Sequence, residues 1–253
     1  MLNWPTGSTR RLPSPLALIT PQWQCPKSIV AYTTTKAGGV SEGDFVGLNV
    51  GAHVGDNLHH VQTNRSLLPH SEKITWLEQV HGNSVARLPT QNVQADAAFS
   101  TSKLHFCAVM TADCVPILLC DVKGTQVAAV HAGWKGLENR IIENSVAAFD
   151  IAPGELMAWI GPAICGACYE VDAYLASVFK RYPTAIKQGQ ASNKFLLNLP
   201  LIAEYQLKEL GVSNVTQSHL CTYCREDLFY SHRHATHHHK PNTGRIVSVI
   251  GLK

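Results

Sequence analysis

The sequence carries little charge, and what it carries is nearly balanced. Charged side chains make up 15% of the 253 residues, and 21 Lys and Arg against 18 Asp and Glu leave a net charge of +3. No run of Lys and Arg is longer than a pair such as Arg10-Arg11. Proteins that bind nucleic acid cluster their basic residues on one face or stripe, so this composition argues against a nucleic-acid partner.

Long apolar runs are also missing. The longest apolar stretches are under ten residues, whereas a membrane-spanning helix needs about 20. Within the first twenty residues the apolar piece is only "LALI", which is too short for the hydrophobic segment of a secretory signal. We therefore predict a cytoplasmic protein with no membrane partner.

Cysteine, in contrast, is abundant, with eight residues. In a cytosolic chain these are expected to be thiols or metal ligands rather than disulfides. Two CxxC pairs occur, Cys165/Cys168 and Cys221/Cys224, and 52 residues separate them. Ribbon-type zinc sites usually space their pairs by about 15–20 residues. The spacing therefore favours buried free thiols over a shared four-thiolate zinc site.

Short strand-like segments alternate with a few helical ones along the chain. Apolar runs bounded by Gly, Asp, Asn or Pro predict strands at 28–35, 74–77, 84–88, 106–110, 116–120, 126–131, 156–161 and 244–252. Helical patterns cover 59–68, 134–149, 171–182 and 200–211. We expect residues 1–26 to be an irregular lead-in and residues 27–253 to form one α+β domain with a substantial mixed sheet.

Three residues that can bind a metal stand at the ends of strand-like segments. Cys114 lies between two predicted strands in "TADCVPILL", His131 ends "QVAAVH", and His81 follows "WLEQV". Functional groups of sheet proteins collect at such places. Two imidazoles and a thiolate suit a zinc site whose fourth position is open to water or substrate. On spacing alone, a Cys114 nucleophile with His131 as its base is an equal alternative, and core packing is a third.

A candidate anion site follows directly in the sequence. The stretch "HAGWKG" opens the predicted helix 134–149 and contains Lys135. Free N–H groups and the helix dipole attract anions at a helix start. Lys36, beside two glycines in "TTTKAGGVS", would add a second positive charge. Taken in isolation, an ordinary helix start with a solvated lysine is the preferred interpretation of these residues.

A histidine-rich tract lies near the end of the sequence. Within "SHRHATHHHKPNTGR" (231–245), five histidines fall in eight positions, 232–239. Such density can bind Ni, Cu or Zn. The tract is expected to be a loop ended by Pro and Gly, and adventitious metal binding is the preferred interpretation.

Ten motifs in a fixed order resemble a known family. They are "TTTKAGGVS", "NVGAHVGDN", "NRSLL", "WLEQVHGNSV", "ADAAFST", "TADCVPILL", "AVHAGWKG", "IGPAICGACYEV", "CT" and "TGRIVSVI". Together they resemble the laccase-domain family, also called the multicopper-oxidase-like or polyphenol oxidase family. Its members have been described as bacterial purine nucleoside phosphorylases, and some as a peptidoglycan editing factor. The resemblance covers about residues 30–251, with the QVHG, TADC and HAGW motifs the most specific.

The resemblance implies a fold and an activity. The fold is a single domain of two mixed sheets packed face to face with helices outside. The activity is phosphorolysis of adenosine, inosine, guanosine and methylthioadenosine, together with deamination of adenosine. The implied cofactor is zinc at His81, Cys114 and His131, with copper as the other metal to consider. The partners are then purine nucleosides and phosphate.

The same resemblance suggests further site residues. Phosphate would be held by Lys36, Arg65, Lys135 or Arg233. The two lysines replace arginines of the family motifs "TTRxGGVS" and "HAGWRG". A lysine keeps the charge but loses bidentate geometry, so anion affinity is expected to differ. His232 stands where the first arginine of a "YRRDG"-like stretch is expected, and Arg233 keeps the second.

Deamination additionally needs a carboxylate, for which Asp113 and Glu170 are the candidates. An alternative class is a thiol hydrolase or amidase acting in peptidoglycan precursor editing, with Cys114 as nucleophile and His131 as base. A copper-dependent polyphenol oxidase is disfavoured because it needs many spaced histidines, whereas five of the thirteen lie in one tract. A non-enzymatic protein that buffers metal through this tract is the remaining alternative.

Overall fold

The structure is a computed structural model that describes residues 15–253. Its strands are β1 (Leu18–Ile19), β2 (Ile29–Thr34), β3 (Ile74–Thr75), β4 (Val85–Arg87), β5 (Ala97–Ser100), β6 (Phe106–Thr111), β7 (Val115–Asp121), β8 (Val127–Ala132), β9 (Leu156–Ile160), β10 (Glu170–Asp172), β11 (Ile186–Gln188), β12 (Lys194–Leu197), β13 (Asn214–Gln217) and β14 (Ile246–Leu252). Its α-helices are α1 (Leu58–Ser66), α2 (Trp134–Glu138), α3 (Ile141–Val146), α4 (Ala173–Val178), α5 (Leu199–Glu209) and α6 (His232–His237).

Two mixed sheets form the frame of the molecule. The first has five strands in the order β1-β2-β14-β6-β3, in which β6 and β3 run parallel and the other pairs antiparallel. The second has six strands in the order β13-β9-β7-β8-β5-β4, with parallel pairs at its two edges. A third sheet, β10-β12-β11, is antiparallel.

The alternating directions of the side chains along β7 show how the two large sheets and the helices pack. Leu118 points into a core shared with Cys107 and Ile250 of the five-stranded sheet. Its neighbours Ile117 and Leu119 face a second core that includes buried residues of α3 and α5. Since successive side chains of a strand point to opposite faces, the two sheets lie face to face and helices cover the outer face of the six-stranded sheet. The predicted α+β domain of two packed mixed sheets is confirmed.

Two predictions about local structure need correction. The helix predicted over 134–149 is two short helices, α2 and α3, because Arg140 between them has a left-handed backbone with φ 66°. The apolar pattern continues across the break, since Leu137 and Ile141 enter the same core. The histidine tract is not wholly a loop: Ser231 caps α6 by accepting a hydrogen bond from the backbone N–H of His234 at 3.1 Å.

The predicted lead-in is only partly visible, since residues 1–14 lie outside the described residues. In the part that is described, Leu18 and Ile19 pair with Thr34 and Thr33 of β2. This stretch therefore extends the five-stranded sheet instead of being entirely irregular. Within residues 15–253, the structure contains no helix of the length and apolar character that crossing a membrane requires.

Candidate metal centre and active-site cavity

The β7–β8 hairpin brings Cys114 and His131 together. The two strands are antiparallel, with Val115 opposite Ala132 and Pro116 opposite His131. Cys114 directly before β7 and His131 near the end of β8 therefore lie at the same end of the hairpin. His131 is buried, and Cys114 is half-buried.

Asp96, which was not singled out from the sequence, orients the two histidine ligands of the predicted site, His81 and His131. Its carboxylate accepts hydrogen bonds from the backbone N–H groups of Val80, His81 and Gly82 at 3.2, 2.9 and 2.6 Å. It also accepts one from His131 Nδ1 at 2.8 Å. Three successive N–H groups around one anion form a nest, and this nest holds His81 in a left-handed backbone at φ 59°. The hydrogen bond at Nδ1 leaves Nε2 of His131 as its ligand atom.

These contacts make His81, Cys114 and His131 converge, and we call them the His–Cys–His group. Their donor atoms all lie within 4.8 Å of one another. Cys114 Sγ is 3.9 Å from His81 Nε2, and the two imidazole centroids are 4.7 Å apart. The glycine of "HAGW" permits this approach: a Cβ at Gly133 would lie 3.0 Å from Cys114 Sγ and 3.3 Å from His81 Cδ2.

The electrostatics of the group favour a thiolate. Burial opposes ionisation of Cys114, but the charge of His131 and hydrogen bonds from both histidines outweigh it and lower the pKa of the thiol. Burial likewise opposes protonation of His131, yet the Cys114 thiolate and Asp96 raise the pKa of this imidazole. A thiolate is the form in which cysteine binds zinc or acts as a nucleophile.

Asp113 makes a strained turn directly before Cys114. Its φ of 99° is unusual for a residue with a side chain. Its Oδ1 accepts a hydrogen bond from Thr222 Oγ1 at 2.7 Å, and its Oδ2 accepts one from the backbone N–H of Arg233 at 2.6 Å. Two residues more than a hundred positions away thus hold the turn that aims Cys114 at the histidines.

The His–Cys–His group opens into a cavity of about 320 Å³. Both polar and aromatic side chains line it. Those that bear on chemistry, besides the group itself and Asp113, are His53, Thr111, Trp134, Tyr169, Arg233 and Arg245. Arg245 was not singled out from the sequence, although it stands in the quoted motif "TGRIVSVI" directly before β14.

Arg233 and Arg245 make the cavity electropositive. Arg233 donates from one terminal nitrogen to the carbonyl of Glu170 at 2.7 Å. Arg245 donates to two backbone carbonyls at 2.9 and 3.0 Å. These bonds fix the guanidinium groups at the cavity wall. The pKa of His53 is lowered by its burial and by the nearby charge of Arg245, as expected where positive charge accumulates.

The other implied phosphate ligands lie elsewhere. Lys36 lines a separate small cavity that does not contain the His–Cys–His group. Arg65 donates from Nε to the carbonyl of Val50 at 2.9 Å and lies 3.8 Å from the centroid of the Trp76 ring. Lys135 is exposed, because Trp134 occupies the cavity side of this five-residue helix. Of the four, the structure brings only Arg233 to this cavity among residues 15–253.

Thr111 lies at the end of β6 with a buried hydroxyl that faces no partner. Its residue is 1% exposed, and Oγ1 has no hydrogen bond to any described residue. An unsatisfied buried polar group costs about 1–3 kcal/mol. Thr111 contributes to the cavity lining, but its hydroxyl oxygen is itself buried.

The two candidate carboxylates have different surroundings. Asp113 lines the cavity, but both of its oxygens already accept hydrogen bonds. Glu170 contributes its backbone carbonyl to Arg233, whereas its side chain lies 3.4 Å from the N–H of Gln190. The structure thus places Asp113, and not the Glu170 carboxylate, next to the His–Cys–His group.

The histidine tract contributes one residue to the cavity, His232. Others are engaged outside it: His234 Nε2 pairs with Glu226 at 2.8 Å, and His237 Nδ1 lies 3.0 Å from the hydroxyl of Tyr223. Within residues 15–253, the tract does not bring three metal donors together.

For the two CxxC pairs, the expectation of buried free thiols holds for Cys221 alone, because Cys165 and Cys168 are half-buried and Cys224 is exposed. Cys165, Cys168, Cys221 and Cys224 converge, with donor atoms all within 4.8 Å of one another, and Cys224 is exposed. The expectation holds for Cys107 and Cys120, which are buried and whose thiol pKa values burial raises. Ribbon spacing describes pairs on neighbouring hairpins, whereas here a parallel strand pairing joins distant segments.

Comparison with known proteins identifies the family. The family model described as multi-copper polyphenol oxidoreductase laccase matches residues 30–253. The chain therefore belongs to this family.

Individual relatives extend over nearly the whole chain. A protein named "Purine nucleoside phosphorylase YfiH" from Escherichia coli (strain K12) is 40% identical over 247 residues, covering 93% of this chain and 98% of its own. A crystal structure of the Neisseria meningitidis protein NMB0706 superposes with a TM-score of 0.87 at 37% identity, covering 93% of this chain and 99% of its own. The structure of YlmD from Geobacillus stearothermophilus gives a TM-score of 0.81 at 31% identity, with 90% and 93% covered.

Proposed function

We propose that the protein is a zinc-dependent purine nucleoside phosphorylase that also deaminates adenosine. The observation that carries this proposal is the His–Cys–His group at the wall of a cavity that also contains two arginines. The name of the E. coli relative supports the phosphorylase activity. A cytoplasmic location is part of the proposal, because none of the eight cysteines is in a disulfide, as is usual in a reducing compartment.

The residues of the His–Cys–His group fit zinc. Zinc accepts imidazole nitrogen at about 2.0–2.1 Å and thiolate sulfur at about 2.3 Å, so two ligands of one tetrahedral ion lie about 3.5 Å apart. Donor atoms already within 4.8 Å need only small movements to reach that separation. The hydrogen bond from His131 to Asp96 is the support that zinc-binding histidines usually have. Zinc bound there would supply Lewis-acid stabilisation of negative charge in the cavity.

Arg233 and Arg245 are the proposed phosphate ligands. Both line the cavity, and arginine suits the planar, two-point recognition of phosphate. Trp134 and Tyr169 offer aromatic surface to a purine. Burial raises the pKa of Tyr169 to about 12, so its hydroxyl stays a neutral hydrogen-bond donor.

In phosphorolysis, a phosphate oxygen forms a bond to the anomeric carbon of the ribose while the N-glycosidic bond breaks. The bonding electrons leave with the purine nitrogen, which then takes a proton. Holding phosphate beside the anomeric carbon converts a two-body encounter into a reaction within one complex. For deamination, Asp113 is the proposed carboxylate because it lies in the cavity beside Cys114.

A thiol hydrolase acting in peptidoglycan precursor editing is the second candidate. Cys114, His131 and Asp96 form a thiol–imidazole–carboxylate series, and the lowered pKa of Cys114 suits a nucleophile. A copper-dependent polyphenol oxidase has less support, because the donor groups found within residues 15–253 contain only two histidines between them, too few for a multicopper centre.

Turnover of inosine by the full chain tests the proposal. We expect ribose 1-phosphate and free base only when phosphate is supplied. Adenosine deamination should require zinc but respond little to phosphate. Release of base without phosphate would contradict phosphorolysis and indicate hydrolysis. No turnover of any nucleoside, with inactivation by an alkylating agent in the presence of chelator, would favour the thiol hydrolase.

The phosphate ligands can be tested separately. Arg245→Gln should raise the KM for phosphate about 10- to 100-fold, because a hydrogen bond to a charged group contributes about 1.5–3 kcal/mol. Arg181→Gln, at an arginine with a 73% exposed side chain paired with Glu209, is the matched control. Equal phosphate KM values for the two variants would argue against Arg245 as a ligand.

A further inference from the structure

We propose that the four cysteines Cys165, Cys168, Cys221 and Cys224 bind a second zinc ion, which has a structural role distinct from the proposed catalytic centre. This four-cysteine group shares no residue with the His–Cys–His group. The inference therefore goes beyond the proposed function and holds or fails independently of it.

The fold brings the two CxxC pairs to the same end of the strands in the six-stranded sheet. β9 and β13 are parallel neighbours, with Ile160 opposite Gln217. The carboxyl ends of neighbouring parallel strands lie next to each other, so the loops that follow them emerge side by side. Residues 161–168 follow β9, and residues 218–224 follow β13. The sheet thus closes the 52-residue gap that the sequence leaves between the pairs.

The two loops continue to pair beyond the strands. Ala163 forms a parallel bridge with Cys221. The N–H of Ala163 donates to the carbonyl of Leu220 at 3.2 Å, and the N–H of Thr222 donates to the carbonyl of Ala163 at 3.1 Å. The positions of Cys165 and Cys221 are therefore fixed relative to each other by main-chain hydrogen bonds and not by the sulfur atoms themselves.

The sulfur geometry is close to that of a tetrahedral thiolate site. All four Sγ atoms lie within 4.8 Å of one another, and the Cys168 and Cys224 sulfurs are 3.2 Å apart. With Zn–S bonds of about 2.3 Å, tetrahedral sulfurs are about 3.8 Å apart. The Cys168–Cys224 spacing is about 0.6 Å shorter than this value and no spacing exceeds it by more than about 1.0 Å, so an ion at the centre needs only modest adjustment.

Backbone N–H groups around Cys221 add support for a thiolate. Its Sγ accepts hydrogen bonds from the N–H of Cys165 at 3.3 Å and of Cys224 at 3.5 Å. These donors stabilise negative charge on the least exposed sulfur of the group. In a CxxC turn, the N–H of the second cysteine reaches the sulfur of the first, which holds the loop open around an ion. A set of four cysteine ligands is typical of closed structural zinc sites.

A consequence for the active site follows from Thr222. This residue comes directly after Cys221 and donates its hydroxyl to Asp113, which precedes Cys114. The segment continues to Arg233, whose N–H also holds Asp113. A metal in the four-cysteine group would fix the start of this segment and thereby the turn that aims Cys114.

Metal content of the full chain is the first test. The variant His237→Ala/His238→Ala/His239→Ala serves as the parent, so that the exposed tract does not contribute. Purified without a tag and under reducing conditions, the parent should hold two zinc ions per chain. Cys114→Ala should hold one, Cys168→Ser/Cys224→Ser should hold one, and Cys25→Ser should keep two. One zinc in the parent that disappears with Cys114→Ala would overturn the proposal.

Cobalt substitution keeps the test valid even if Cys168→Ser/Cys224→Ser fails to fold, because it requires only the parent and Cys114→Ala. Loading with Co²⁺ gives sulfur-to-metal charge-transfer absorption that scales with the number of bound thiolates. Two occupied sites contain five thiolates, four of them in the four-cysteine group. Cys114→Ala should therefore keep about four-fifths of the absorption. Complete loss in this variant would overturn the proposal, as would a Cys168–Cys224 disulfide in protein isolated under reducing conditions.

Discussion

The His–Cys–His group faces a cavity, whereas the four-cysteine group lies between two loops that are hydrogen-bonded to each other. The first mixes two imidazoles with one thiol and offers three donors, so a tetrahedral ion would keep one position for a reacting molecule. The second has four sulfur donors, which would fill all four coordination positions of a tetrahedral ion. One group is suited to chemistry and the other to holding loops together.

The supports of the two groups also differ. In the His–Cys–His group, a buried carboxylate fixes the ligands through their side chains and backbone, since Asp96 contacts both His81 and His131. In the four-cysteine group, main-chain pairing after β9 and β13 places the ligands. The proposed catalytic site is thus oriented through a charge, while the proposed structural metal site is placed by the sheet.

The largest effect is expected from removing the thiolate of the His–Cys–His group. Cys114→Ala should reduce nucleoside turnover about 10³-fold or more, because losing several kcal/mol of charge stabilisation costs tenfold per 1.4 kcal/mol. The four-cysteine group should keep its zinc. Steady-state kinetics and zinc content check both statements, with Cys25→Ala as the control. Full activity in Cys114→Ala would place the chemistry elsewhere in the molecule.

A smaller effect is expected from Asp96→Asn. The substitution removes the negative charge that orients His131 and that the nest around His81 surrounds. Zinc affinity of the His–Cys–His group should fall about 10- to 100-fold, as is typical when a carboxylate behind a metal-binding histidine is lost. Competition with a chromogenic chelator measures the affinity. Asp150→Asn, at an exposed residue, should leave it unchanged, and equal affinities for the two variants would contradict this role of Asp96.

Thr222→Val tests the connection between the two groups. Valine keeps the shape of the side chain but removes its hydrogen bond to Asp113. Because bonds to charged groups contribute about 1.5–3 kcal/mol, the free energy of unfolding should fall by about that amount, and turnover should fall with it. Urea denaturation and kinetics provide the measurements. The zinc content should stay at two, and loss of an ion would mean that the hydroxyl supports a metal site directly.

The smallest effect is expected from the exposed part of the histidine tract. His237→Ala/His238→Ala/His239→Ala should leave nucleoside turnover within about twofold, since surface changes away from a site cost little. Total bound metal should decrease in solutions with excess zinc. A marked loss of turnover while the His–Cys–His group remains occupied would show that the tract takes part in the reaction.

The sequence predicted the candidate site best where its residues lie at the ends of neighbouring strands. Cys114 and His131 flank a hairpin, so local strand patterns were enough to bring them together. Asp96, Thr222 and Arg245 were missed because their roles arise from contacts between distant segments. Thr222 lies 109 positions from the carboxylate that it holds. The four-cysteine group was misjudged for the same reason, since the pairing of β9 with β13 is not visible in any local pattern.

Helix prediction failed for a different reason. The apolar stripe over 134–149 is real, because residues on both sides of Arg140 enter one core. Hydrophobic periodicity predicts which face of a helix is buried, but it does not show that one residue has a positive φ and interrupts the helix. The break shortens α2 to five residues, and Lys135 lies exposed on it.

The position of β14 bears on how the protein is made. This strand is the last in chain order, yet it lies in the middle of the five-stranded sheet, paired with β2 on one side and β6 on the other. During translation, β2 and β6 each emerge long before the strand that joins them. Their edges stay open until residues 246–252 have left the ribosome, so the sheet can only be completed late. Pairings between such distant segments form slowly, and exposed edges invite aggregation while they wait. Arg245 emerges directly before this strand, so the nascent chain acquires a wall of its cavity only as the five-stranded sheet is completed.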